Sequence, residues 1–495
     1  MDGENVLLLM TDQQRFDSLG VYGCSAISTP NLDRLAASGV VFDRCYVNNT
    51  ICTPSRASIL TGRPLAGHGV FQLHDTLPDD QILFPKRLQK RGYQTALVGK
   101  LHVSGRLTEA VTRHPNDGFE IYDWCMDPTI HLDSPYNAYA RWLQERHPAV
   151  WKRLESEGRQ MHYFPKEAHL NHWAADRTVE FLDSRDTSRP FFCFTSLFDP
   201  HDPYFDYPKE WADAVDLEAL GPPQPYPESS EPHPRAIDLE QQRWADNLEG
   251  RGPYRDLDEM RTGYYASIAY LDHELGRILD HLEELRLTDS TTVIFLSDHG
   301  DMMGDRKLLT KGPYFYDPCS RVPMIARFAT EPANTRYAEL VQPNDVAATV
   351  LAAAGFSAEE RAAIMPHSVD LRALVSGEVP RRDVAVCEYR NTGYGTGGRY
   401  YSPEVHATMI HDGRYKMSVF HEGDSTTSLE MGELYDMIDD PAETKNLWSI
   451  PEFADTKLRL AIRLADWNTE VTKTYVGGRG GERVPWQEGA QVYVP

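Results

Sequence analysis

The sequence predicts an α/β fold, with a large, mostly parallel central sheet flanked by helices and a smaller C-terminal α+β subdomain built on a short antiparallel sheet. Three observations carry this reading. Four short, dense apolar runs occur at VLLLM (6–10), TALV (95–98), FFCFTSLF (191–198) and TVIFLS (292–297), and none alternates cleanly between apolar and polar residues. Helical stretches lie between them. Beyond about residue 376 the texture shifts to segments such as RYKMSVF (414–420) and GELYDM (432–437), which read as strands of a small antiparallel sheet.

Each apolar run is four to eight residues long, and several are rich in β-branched or aromatic side chains. That is the pattern of strands buried on both faces, as in a parallel sheet covered by helices. The clearest helix spans about 262 to 286, where Ile268, Leu271, Leu275, Ile278, Leu279, Leu282 and Leu285 recur at helical spacing. Strands alternating with helices give an α/β fold. Residues 200–258 differ, with nine prolines between Pro200 and Pro234, many acids and little periodicity, and they read as an irregular surface insertion, a lid or a subunit contact. These features divide the chain into a principal α/β domain over 1–375, carrying that insertion, and a C-terminal subdomain over 376–495 that ends in a Gly-rich extended arm from Gly477. The stretch GYGTGG at 393–398 lacks both the spacing of a phosphate-binding loop and a strand before it, so it reads as a flexible loop.

Composition narrows the function classes. At 495 residues, with 41% hydrophobic and 25% charged side chains, the chain buries a large core without staples. Its net charge of −24 argues against a nucleic-acid or anionic-membrane binder, since both attract basic surface. It leaves room for a small anion in a local cationic pocket. The N-terminus carries acids before a five-residue apolar run, unlike a signal peptide or a spanning helix. The seven cysteines are scattered and form no C-x-x-C pair. A reduced, cytoplasmic protein with mostly buried thiols is expected.

The chemistry gathers just past the apolar runs. VLLLM leads into Thr11-Asp12-Gln13, TALV into Gly99-Lys100-Leu101-His102, FFCFTSLF into Asp199-Pro200-His201, and TVIFLS into Asp298-His299-Gly300-Asp301. In open α/β sheets ligands bind outside the C-terminal ends of the strands. Asp12, Gln13, Asp298 and His299 make a set of ligands for a divalent cation. Its oxygens favour Ca2+ or Mg2+, and the imidazole leaves Mn2+ open. The segment from Cys52 to Arg63 reads as a short helix with Pro54 near its first position and Gly62 ending it. Cys52 then lies at a helix N-terminus, which favours an anion, and Arg56 adds a cation about one turn on.

The run Cys52-Thr53-Pro54-Ser55-Arg56-Ala57-Ser58-Ile59-Leu60-Thr61-Gly62-Arg63 resembles the C-x-P-S-R-x-x-x-T-G signature of the type I sulfatases, within the alkaline phosphatase superfamily. The resemblance extends to the opening strand with Asp12, to Thr29 through Leu35, to Gly99-Lys100-Leu101-His102, Asp199-Pro200-His201 and Ser297 through Gly300, and to Leu434-Tyr435-Asp436 and Asp440 through Glu443. It implies an alkaline-phosphatase-like fold and a sulfuric ester hydrolase, arylsulfatase-like, acting on a small aryl, alkyl or sugar sulfate. It implies that Cys52 is oxidised to Cα-formylglycine by a separate formylglycine-generating enzyme, and that one divalent cation, Ca2+ before Mn2+ or Mg2+, is held by Asp12, Gln13, Cys52, Asp298 and His299. In the implied mechanism the aldehyde hydrates to a geminal diol whose metal-bound hydroxyl attacks sulfur, with Asp298 taking its proton and Arg56 orienting the diol. The metal, Lys100 and Lys311 neutralise the sulfuryl oxygens, and His201 protonates the leaving oxygen. The sulfated hemiacetal then collapses with His102 as base. Lys307 competes with Lys311 for the lysine position. Gln13 stands where many relatives carry a second aspartate, which removes a negative charge and resembles the choline sulfatases and phosphonate monoester hydrolases. A phosphonate monoester or phosphodiester hydrolase with the same nucleophile is therefore the alternative, and a silent anion-binding protein with an unconverted Cys52 the third. His68, His74, Asp202, Tyr204, Arg399 and His406 are polar residues on expected loops, some of them candidates to touch the leaving group. The Pro-rich insertion and the tail lead to the expectation of a homo-oligomer.

Overall fold

The four apolar runs lie side by side in the computed structural model, which describes residues 3–226, 234–246, 256–329, 334–392, 401–421 and 431–475. Nine strands form the main sheet: β1 (Asn5–Thr11), β2 (Val40–Tyr46), β3 (Gln94–Gly99), β4 (Ile121–Trp124), β5 (Phe191–Ser196), β6 (Thr291–Ser297), β7 (Arg321–Val322), β8 (Met324–Arg327) and β9 (Thr335–Val341). Their order is β4-β3-β5-β1-β6-β8-β2-β7, with β9 also paired to β2. Neighbours from β4 through β6 are parallel, and β8 runs antiparallel to both β6 and β2. Every residue of β5 and β6 is buried, which is why neither run alternates.

The helices that position the site are α1 (Cys52–Thr61), α2 (Leu170–Ser184), α3 (Arg235–Asp246), α4 (Leu257–Glu284), α5 (Asp345–Ala353) and α6 (Ala454–Tyr475). Helix α4 packs against α2, and α1 against α5. Helix α4 starts earlier than its apolar period indicates because the Asp256 side chain accepts the backbone N–H groups of Asp258 and Glu259 at 3.0 and 3.1 Å. Helix α3 falls inside the stretch expected to be irregular, and it buries Ala236, Ile237, Glu240 and Trp244. Proline density masked that one-sided pattern in the sequence. Residues 227–233 and 247–255 of the stretch, the loop at 393–398 and the arm from Gly477 lie outside the described residues.

The C-terminal strands β10 (Ala385–Arg390), β11 (His406–His411), β12 (Tyr415–His421) and β13 (Gly432–Asp436) pair antiparallel in that order. Both faces of this sheet are covered. Val386, Ile410, Met417 and Leu434 pack with Leu460 and Leu464 of α6, while Cys387, Tyr389, Met409 and Tyr435 join the main core. Six of the seven cysteines are buried thiols and Cys24 is half-buried. No helix among the described residues is long and apolar enough to cross a membrane.

The small sheet is also locked to the main one by charge. Buried Lys416 of β12 reaches Asp317 at 2.5 Å and Glu443 at 2.6 Å. Lys416→Met should therefore strip buried Glu443 of its ion-pair partner, leave Asp317 to Arg321 at 3.2 Å, and lower the unfolding free energy by about 3–5 kcal/mol. The urea midpoint at an unchanged m-value measures this, and a midpoint equal to the parent's would remove Lys416 from the interface energetics.

Candidate active site

Parallel register brings the site together. Thr11 pairs with Ser297 and Gly99 with Ser196, so the residues that follow each strand emerge on one edge. Gly99 has φ of 99°, and a Cβ there would sit 2.0 Å from the Ser196 carbonyl oxygen. Only glycine allows β3 to turn this close to β5 and deliver Lys100.

Helix α1 is buried at every position, so amphipathic periodicity cannot reveal it. Gly62 closes it in the left-handed conformation, φ 68°. Arg56 lies one turn beyond Cys52 and is fully buried. Its Nη2 donates to Asp12 Oδ2 at 2.9 Å, its Nε to Asp298 Oδ2 at 2.6 Å, and its Nη1 to the Lys100 carbonyl and Ser196 Oγ, both at 2.9 Å. This guanidinium is thus committed to the two carboxylates and the β3 and β5 ends, not to orienting a group at position 52 alone.

Asp12, Cys52, Asp298 and His299 place one ligand atom each within 4.8 Å of one another, all buried. The His299 ring shows how well the set suits a cation. Its Nδ1 lies 3.0 Å from the Gly300 carbonyl, which has no proton to give, so Nδ1 carries the hydrogen and Nε2 the lone pair. That lone pair lies 3.1 Å from Cys52 Sγ and 3.6 and 3.7 Å from the Asp12 and Asp298 carboxylates. Burial pushes this imidazole down to about 4, against the pull of Asp298, so it is neutral and ligand-ready. Burial works against charge on Asp12, but Lys100 and Arg56 outweigh it and hold that carboxyl well below the usual range. Asp298 Oδ1 already accepts the backbone N–H of Gln13 at 3.1 Å and of His299 at 2.9 Å. The proton that the resemblance hands to Asp298 would compete with these bonds or with Arg56.

Gln13 has φ of 67° and is engaged on both ends of its amide. Nε2 donates to Asp301 Oδ2 at 2.6 Å and to Tyr204 Oη at 3.0 Å, while Oε1 accepts from Lys311 Nζ at 2.6 Å. A second lone pair on Oε1 remains for a cation. Lys100 Nζ sits 2.7 Å from Asp12 Oδ2, and Lys311 Nζ 4.0 Å from Asp12 Oδ1. Burial disfavours charge on Lys311, yet Cys52 and Asp12 outweigh it and raise its pKa above the ordinary lysine value. Lys307 is exposed, whereas Lys311 is buried beside Gln13 and Asp12. His201 Nε2 lies 2.7 Å from Lys311 Nζ, and its Nδ1 2.8 Å from the Asp202 carbonyl. His102 is buried with Nε2 3.1 Å from Thr53 Oγ1.

Of the loop residues, Tyr204 is buried and donates to Asp301 at 2.6 Å, and Asp202 adjoins His201. His68 is a buried partner of Ser58 at 2.9 Å, held near 3 by burial. His74 is exposed, His406 pairs with Glu404, and Arg399 lies outside the described residues. Sequence reasoning gave no role to Asp301, Ser196, Thr53 or Glu109. Asp301 and Ser196 stood at the strand ends where a signal was available, whereas nothing local marked Glu109.

Comparisons with known proteins agree with this arrangement. The sulfatase family model matches residues 4–356, and the model of the N-sulphoglucosamine sulphohydrolase C-terminal region matches 305–470. An arylsulfatase of Clostridium perfringens is 30% identical, covering 70% of this chain and 74% of its own length. A choline-sulfatase of Rhizobium meliloti is 28% identical, covering 94% of this chain and 87% of its own. The solved phosphonate monoester hydrolase of Agrobacterium radiobacter superposes with a TM-score of 0.74 at 23% identity, covering 94% and 96% of the two chains, a likeness of fold. A buried cysteine, two strand-end carboxylates and a lone-pair imidazole on this sheet edge, together with the family match over most of the chain, lead to one statement: the protein belongs to the sulfatase family of hydrolytic enzymes.

Proposed function

We propose that the chain hydrolyses sulfate monoesters at the Cys52 cluster, with Cys52 converted to Cα-formylglycine by a maturing enzyme and one divalent cation, Ca2+ by preference, bound beside it. The convergence of the Cys52, Asp12, Asp298 and His299 ligand atoms within 4.8 Å supports this reading more than any other observation. Asp12, Gln13, Asp298 and His299 would hold the cation, which supplies Lewis-acid stabilisation of the sulfuryl charge. The hydrated formylglycine supplies one hydroxyl to attack and a second whose deprotonation releases sulfate.

The remaining steps belong to the chain's own side chains. Lys100 and Lys311 flank the anion and offset its charge in a buried setting. His201 and Lys311, 2.7 Å apart, form a proton-donating pair for the leaving oxygen. Arg56 keeps Asp12 and Asp298 fixed. His102 takes the proton whose loss expels sulfate. The phosphonate monoester reading stays second because Gln13 places an amide where an acid would add negative charge, and tetrahedral sulfate and phosphonate esters share a geometry. We extend the proposal to a cytoplasmic homo-oligomer.

Conversion should leave the Cys52 peptide lighter by one sulfur and two hydrogens and heavier by one oxygen, read by mass spectrometry after co-expression with the maturing enzyme. An unshifted, inactive peptide would support the silent anion-binding reading. Lys311→Ala should lower kcat on 4-nitrophenyl sulfate by on the order of 10²-fold or more. Lys307→Ala should leave it within about twofold, since an exposed lysine far from charge development contributes little. Equal effects would sink the position-based choice between them. The kcat/KM for an aryl sulfate should exceed that for an aryl phosphonate, and the reverse order would promote the second reading.

A further inference from the structure

His102 stands on a segment whose shape is imposed from outside. Its φ is 55°, a left-handed conformation that a non-glycine residue keeps only when its surroundings enforce it. The enforcement is a single buried carboxylate. Glu109 Oε2 accepts the N–H of His102 at 2.8 Å, and Oε1 accepts those of Val103 at 2.6 Å and Ser104 at 3.0 Å. Three successive N–H groups on one anion form a nest. Trp124 Nε1 donates to the same carboxylate at 3.2 Å and anchors it to the end of β4.

The ring is fixed as firmly as the backbone. Thr53 Oγ1 lies 2.8 Å from the Leu73 carbonyl, so its only proton goes there. His102 Nε2, 3.1 Å from the same hydroxyl, must then be the donor. One tautomer follows, with hydrogen on Nε2 and the lone pair on Nδ1. Nδ1 is buried and has no hydrogen-bond partner among the described residues. Burial first, then Lys100 and Arg56, push the imidazole well below its ordinary range, which keeps that lone pair free.

We propose that Thr53 and Glu109 are positioning residues that set the tautomer and the backbone of His102 so that Nδ1 serves as the base of the sulfate-releasing step; this rests on the role given to His102 above. In that step Nδ1 takes the hydroxyl proton at residue 52. The O–H pair becomes the carbonyl bond, and the C–O bond to the sulfate oxygen breaks with its pair on sulfate. The resulting imidazolium keeps its Nε2–H on Thr53. Residue 53 therefore does more than space the cysteine from Pro54.

The test uses full-length protein, 4-nitrophenyl sulfate, and rates normalised to the fraction of Cys52 converted. Thr53→Val removes the acceptor, Thr53→Ser keeps it, and Glu109→Gln keeps the size while pointing an NH2 at the nest. Thr53→Val and Glu109→Gln should each lower kcat by roughly tenfold or more, with KM within about threefold, and release nitrophenol ahead of sulfate in the first turnover. Thr53→Ser should run close to the parent. His102→Ala should show the same excess of nitrophenol with a larger loss. If His102→Ala behaves this way but Thr53→Val and Glu109→Gln match the parent, or Thr53→Ser is as slow as Thr53→Val, the positioning proposal is overturned while the base assignment stands. If His102→Ala keeps the parental rate or shows no excess of nitrophenol, the base assignment itself falls. Melting curves separate a folding defect in Glu109→Gln from a kinetic one, and a misfolded variant passes the decision to the Thr53 pair.

Discussion

Asp12 and Asp298 end adjacent strands, and their ligand oxygens lie within 4.8 Å of each other in a fully buried setting. Two such charges repel by about 3 kcal/mol even at an effective dielectric constant near 20. The Arg56 guanidinium answers both at once, at 2.9 and 2.6 Å, and binds the β3 and β5 ends with its other donors. Because Arg56 is one turn from Cys52 on α1, the same contacts fix where the cysteine sits. Strand ends, helix and the position of Cys52 are therefore set by one buried network. Removing the guanidinium would leave an uncompensated pair of acids, which costs far more than the net worth of the pairing itself.

The amide at position 13 moves a negative charge outward without deleting it. Asp301 takes the Gln13 NH2 group at 2.6 Å and is itself held by Tyr204 at 2.6 Å and by the Met303 N–H at 2.9 Å. That polarity turns Oε1 toward Lys311. Next to Cys52 there remain two carboxylates against Arg56, Lys100 and Lys311, a local excess of positive charge inside a strongly acidic protein. A small anion is drawn to such a place by the near field, and the distant acids act only weakly through screening solvent.

Much of this was legible in the chain. The four unbroken apolar runs located the central parallel strands, and the polar residues just after them located the edge where Asp12, Lys100, His201 and Asp298 meet. The C-x-P-S-R run located α1. What stayed hidden has physical reasons. Helix α1 buries polar and apolar residues alike, so no moment marks it. Glu109 acts on His102 through backbone N–H groups, which every sequence has in equal measure. The partners of the Gln13 amide come from the segment after β6 and from the loop after β5, far away in the chain, so it reads as a lost charge until Asp301 is seen beside it. In the insertion, prolines outside α3 drowned the spacing of Ile237, Glu240 and Trp244 within it.

Three histidines meet at this edge, and each has its tautomer dictated by a group that does no chemistry. Backbone carbonyls of Gly300 and Asp202 take the Nδ1 hydrogens of His299 and His201, which leaves Nε2 of one beside Cys52 Sγ and Nε2 of the other against the Lys311 ammonium. Thr53 does the opposite for His102, holding the Nε2 hydrogen and freeing Nδ1. Identical side chains thereby present a lone pair to Cys52, a lone pair to an ammonium, and an unpartnered lone pair. The differences lie in which ring nitrogen faces the reacting group, and that is decided by oxygens fixed in the fold. Differing environments among like residues then require no difference in side-chain type, which is why the histidines alone underdetermine the site's chemistry and the oxygens around them complete it.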